Sequence, residues 1–103
     1  QATPIAFGRG NSRLNVQSKR DLEEMARRLH SLPNFYLTVV GHTRAEGDLE
    51  ANRVLADQRA SSARDYLVSH GISQSRIRSK AAEPSAAGGS AQAVSFVLAQ
   101  KPY

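Results

Sequence analysis

Apolar residues recur along this chain with two different periods, and the changes of period mark its elements. Leu22, Met25, Ala26, Leu29 and Leu32 fall at helical spacing and stop at Pro33, which predicts an amphipathic helix of about four turns. Ser18, three residues before Asp21, is close to a capping box and sets the expected start. Glu23 and Glu24 stand early and Arg27, Arg28 and His30 late, the order that the helix dipole favours. Phe35 to Val40 then reads as a strand, with Phe35, Leu37 and Val39 on one face and Tyr36, Thr38 and Val40 on the other. Its near-continuous hydrophobicity suits a central position.

Asp48 is placed to cap a second helix over residues 49–70, whose buried stripe is Leu55, Ala56, Ala60, Ala63 and Leu67. The alanines allow it to approach a sheet closely. Gly71 ends it as a left-handed residue, with Ile72 supplying the accompanying apolar contact. Ile5-Ala6-Phe7 is a brief strand closed by the loop signal Gly8-Arg9-Gly10. Ile77 and its neighbours form a weak strand, residues 82–92 a small-residue loop, and Val94, Phe96 and Leu98 alternate along a last strand. The order β-α-β-α-β-β predicts an α+β, two-layer sandwich: two helices packed on a mixed four-stranded sheet. With 103 residues, the expectation is one domain over 1–103.

Charge and composition narrow the function. No apolar run is long enough to span a bilayer, and no basic stretch followed by an apolar run opens the sequence, so neither a membrane span nor a signal peptide is expected within it. The absence of cysteine excludes disulfides and thiolate zinc sites. A net charge of +5 suits anionic surroundings or serves solubility. The basic residues are dispersed among Asp and Glu without an interleaved aromatic stripe, which argues against a nucleic-acid partner.

No nucleophile-elbow, zincin, P-loop or dinucleotide motif is present, and no cluster of histidines and carboxylates with ligand spacing can be assembled. The expectation is a binding module without catalytic residues, metal or cofactor. His30 and His70 fall near helix ends, where a structural role suffices. The informative stretch is residues 41–60, a strand end and polar loop leading straight into a helix, so that backbone N–H groups and a positive helix end face one small cleft. Arg59, about three turns into that helix, either offers a planar fork to a carboxylate or pairs at the surface with Glu or Asp.

This stretch, GHTRAEGDLEANRVLADQRA, resembles the OmpA-like family pattern GHTDxxGxxxxNxxLSxxRA. Gly41, His42, Thr43, Gly47, Asn52, Leu55, Arg59 and Ala60 match at the family's spacing. Ile5 and Phe7, Tyr66-Leu67, Gly71-Ile72 and Arg76-Ile77 extend the likeness over nearly the whole chain. The resemblance implies the sandwich already described and a noncatalytic module that tethers an envelope protein to peptidoglycan. In the family an Asp takes the ammonium of the stem peptide's diaminopimelate and an Arg takes its carboxylate. By match, Arg59 is that Arg, Asn52 and Thr43 shape the pocket, and Gly41, His42 and Gly47 fix the loop. The implied setting is periplasmic, with attachment to the outer or inner membrane through a region outside this chain and with envelope proteins as further partners.

One departure bears directly on the ligand. The position of the ammonium-binding Asp is Arg44 here, a reversal of sign. Two unit charges about 5–6 Å apart at an effective dielectric near 20 interact by roughly 3 kcal/mol, enough to cost orders of magnitude in affinity. The family's NRRV before the last strand is replaced by Ala91-Gln92-Ala93-Val94, and Leu-Ser by Leu55-Ala56. Three readings follow. Glu46 or Asp48 supplies the missing anion and binding is weakened; or Arg44 and Arg59 form a site for another carboxylate; or the pocket is relict and the fold is an interaction scaffold.

Overall fold

A computed structural model describes residues 4–8, 10–43, 47–82 and 93–100. The elements are β1 (Ile5–Ala6), α1 (Val16–His30), β2 (Tyr36–Gly41), α2 (Leu49–Ser69), a short 3-10 turn (Gln74–Arg76), β3 (Ile77–Ala81) and β4 (Ala93–Ala99). They form one four-stranded sheet in the order β1-β4-β2-β3. β2 pairs parallel with β3, and β4 pairs antiparallel with both β2 and β1, so the sheet is mixed. The expected order and the central place of β2 are both found, and two helices packed on this sheet make the α+β sandwich.

Register explains the core. Leu37 faces Ile77 on one side and Leu98 on the other, and Val39 faces Phe96, so their side chains share one face of the sheet. That face meets Leu22 and Leu29 of α1 and Ala60, Ala63 and Leu67 of α2 in a single buried cluster. Each fully buried leucine contributes roughly 1.5–3 kcal/mol relative to exposure. Gly41 is where α2 comes nearest the sheet: a Cβ there would lie 1.8 Å from the Ala56 carbonyl oxygen. Only glycine permits this approach, and it brings the next turn of α2 under the end of β2.

The helix ends show what local sequence specifies and where it misleads. α1 begins earlier than expected. Asn15, not Ser18, is the cap, its side-chain oxygen accepting the Ser18 N–H at 2.7 Å. Asp21, Glu23 and Glu24 therefore lie beyond the first turn, and Leu32 lies outside the helix. Asp48 caps α2 as expected, accepting from the N–H groups of Glu50 and Ala51. At the other end Ile72 N–H donates to Leu67 O and Gly71 N–H to Val68 O, with Gly71 at φ +94°. This is the paired closure expected of a left-handed glycine, and the Leu67 and Ile72 side chains join the same core. Within α2 one expectation is corrected: Leu55 is only half-buried, and the inward position one turn on is taken by Arg59.

Candidate functional site

The site is built where β2 ends. Gly41 closes the strand, and His42 and Thr43 continue toward α2. Arg44 and Glu46, and with them the expectations about the reversed charge and its compensation, lie outside the described residues. The same holds for most of the 82–92 loop and for Ala91 and Gln92. The chain resumes at Gly47, with φ +83°, a left-handed conformation that a side chain would strain. Asp48 follows, exposed and committed to the helix cap, so its carboxylate is held on the first turn of α2. Asn52 is half-buried one turn on, its N–H donating to Asp48 O.

Arg59 occupies the centre. It is fully buried, with 0% of its surface exposed, so it is not an arginine paired at the surface with Glu or Asp. Its Nε donates to Asn11 O at 2.9 Å, Nη1 to His42 O at 3.0 Å and Nη2 to Gly8 O at 3.0 Å. The guanidinium carbon also lies 5.5 Å from the centroid of the Phe7 ring. A guanidinium has five N–H donors, so these three bonds leave two. Burial pushes its pKa below the ordinary arginine value, though the group remains a cation. No carboxylate pairs with it among the described residues.

The flanking groups complete the picture. His42 is half-buried, donates its backbone N–H to Ala93 O at 2.9 Å, and places Nε2 2.8 Å from Ser95 Oγ. Burial pushes its pKa down, favouring the neutral ring. Thr43 is 3% exposed, and its hydroxyl is the buried side-chain polar atom without a partner among the described residues. An unpaired buried hydroxyl is uncommon, since buried polar groups are nearly always hydrogen-bonded. Arg59 and His42 are thus brought together with Thr43 next along the chain, whereas Asp48 is turned to the helix cap, about three turns of α2 from Arg59.

Gly8, Asn11 and Ser95 were missed by sequence reading. Gly8 and Asn11 act through backbone carbonyls, which carry no side-chain signature, and only the glycine-rich loop signal at Gly8 and Gly10 hinted at them. Among the described residues no group of three or more His, Asp or Glu could hold a metal ion, and no helix is long and apolar enough to cross a membrane.

Comparison with known proteins places this arrangement. The model of the OmpA family matches residues 6–95. The peptidoglycan-associated lipoprotein of Rhizobium meliloti is 34% identical over 74 residues, covering 72% of this chain and 42% of that protein. The chain therefore spans less than half the length of the curated relatives it matches. Among solved structures, the peptidoglycan-associated lipoprotein of Burkholderia pseudomallei superposes with a TM-score of 0.82 at 20% identity, covering 93% of this chain and 89% of that one. The C-terminal domain of Helicobacter pylori MotB gives 0.81 at 16% identity, covering 94% and 84%. At such identities the two structures speak for the fold.

Proposed function

This chain belongs to the OmpA family, and on that premise we propose that it is a noncatalytic peptidoglycan-binding module that anchors an envelope protein to the cell wall. Residues 1–103 are read as one such domain, working in the periplasm and joined to the outer or inner membrane by a region outside this chain. The ligand is the stem peptide, through its diaminopimelate, with Arg59 as the partner of the carboxylate.

The observation that carries this reading is the state of Arg59. A guanidinium taken fully out of water with no carboxylate against it among the described residues is costly, because backbone carbonyls offset only part of the lost hydration. An incoming carboxylate supplies the missing charge and accepts from the two remaining N–H groups. The unpartnered Thr43 hydroxyl stands ready as a further donor. Arg44 matches the family's ammonium-binding Asp in sequence, and a cation at that position makes binding weaker than a carboxylate would give.

A second reading has its own support: Arg59 has no exposed surface and already satisfies three carbonyls, as a purely structural arginine would. In that case the fold is a protein-interaction scaffold of an envelope assembly. Retention on insoluble peptidoglycan, competed by free diaminopimelate, separates the two. Retention lost in Arg59→Lys, which keeps the charge and removes the planar fork, supports the anchoring module; no retention of the folded wild-type chain supports the scaffold.

A further inference from the structure

We infer that the turn closed by Gly8 and Asn11 is the positioning element of the anion site: its two carbonyls set the plane of the Arg59 guanidinium and so aim the N–H groups left for a ligand. The identity of that ligand rests on the peptidoglycan reading above; the grip of the turn on Arg59 does not.

An arginine side chain is long and flexible, and a fork is specific only when its plane is fixed. Here the plane is held at three points by acceptors from separate stretches of backbone, at 2.9 Å from Asn11 and 3.0 Å from both Gly8 and His42. Two of the three belong to the turn. The bonds consume Nε–H and one N–H on each of Nη1 and Nη2, so the remaining donors are one on each terminal nitrogen. Phe7, the residue before the turn, lies against the guanidinium.

The turn is itself specified by its residues. Asn11 N–H donates to Gly8 O at 3.3 Å, and the Asn11 side-chain oxygen accepts the Arg13 N–H at 3.2 Å. A Cβ on Gly8 would lie 2.7 Å from Asn11 Nδ2, so even alanine would displace that side chain. Gly10 has φ +73°, a left-handed conformation that Asn tolerates and a β-branched residue does not. Gly8, Gly10 and Asn11 are therefore positioning residues: they act on a ligand only through Arg59.

The experiment compares wild type with Gly10→Val and Gly10→Asn. Three readouts are taken: thermal melting, solvent exchange of the Arg59 Nε–H by NMR, and titration with a diaminopimelate-containing stem peptide. Gly10→Val is expected to exchange the Arg59 Nε–H faster and to bind the peptide about tenfold more weakly, since small misplacements of a binding group are magnified in this way. Gly10→Asn is expected to restore both. Unchanged exchange in a folded Gly10→Val overturns the inference, as does a tenfold loss that Gly10→Asn does not rescue. Should Gly10→Val fail to fold, Asn11→Ala, which removes the contact to Arg13, is measured with the same expected direction and the same overturning result. If wild type binds no stem peptide, the peptidoglycan reading falls, and the exchange rate alone decides the positioning claim.

Discussion

Arg59 and Arg76 each donate to three backbone carbonyls, and the contrast between them separates an arginine that completes a fold from one with something left over. Arg76 reaches Leu29, Leu32 and Phe35, the carbonyls at the end of α1 and along the link into β2. Those groups include the negative end of a helix, and Arg76 is only half-buried, so both helix and solvent answer its charge. Arg59 binds carbonyls of two loops, is sealed from water, and meets neither a helix C-terminus nor a carboxylate among the described residues. The same number of carbonyl partners is self-sufficient in one place and, among the described residues, short of a counter-charge in the other.

Substitution breaks the comparison most sharply at Arg59. Arg59→Ala removes the guanidinium that ties together three backbone carbonyls and leaves a void in place of a fully buried side chain, so a loss on the order of 4 kcal/mol is expected in denaturant unfolding. Arg76→Ala is expected to cost about 1–2 kcal/mol, because water can replace a half-buried donor at a helix end. Equal losses would mean that burial does not distinguish the two.

Thr43→Val sharpens the difference from the other side. The hydroxyl has no partner to lose among the described residues, so the free protein is expected to hold or gain stability, by up to about 1 kcal/mol. Peptidoglycan retention should nevertheless fall. A destabilised Thr43→Val with unchanged retention would make the hydroxyl structural.

The smallest expected effect is with pH. Burial lowers the folded-state pKa of His42 below the ordinary 6.5, so between that value and the lowered one the unfolded chain binds the extra proton. Its contribution to stability is present above about 6.5 and is lost as pH falls through the folded value. His42→Gln should flatten that part of the melting-temperature profile, and an unchanged slope would assign it to another group.

Much of this was legible along the chain because it is written in side chains. The spacing of Leu22, Met25, Ala26 and Leu29 located α1, and Gly71 with Ile72 marked the end of α2, left-handed glycine and apolar contact included. Asp48 was recognisable as a cap for the same reason. The start of α1 was displaced because Asn15 and Ser18 are both good caps and only the fold chooses between them. At the site, Arg59 and Thr43 were visible but their circumstances were not. Arg59 sits in an inward position of α2 beside Ala60, and nothing in residue type says that backbone carbonyls of a distant glycine turn will receive it. The clamp made by Arg76 was hidden likewise, since its partners are carbonyls far away in sequence.

The central claim, that the buried guanidinium of Arg59 awaits a ligand carboxylate, is tested most directly by following its Nε–H and Nη–H resonances while diaminopimelate-containing stem peptide is added. The account predicts a saturable shift of those resonances, strengthened in Arg44→Asp, which restores the residue type that the family pattern carries at that position. Resonances that stay fixed while the peptide binds elsewhere, or a wild-type chain and an Arg44→Asp chain that both ignore millimolar peptide, would contradict it.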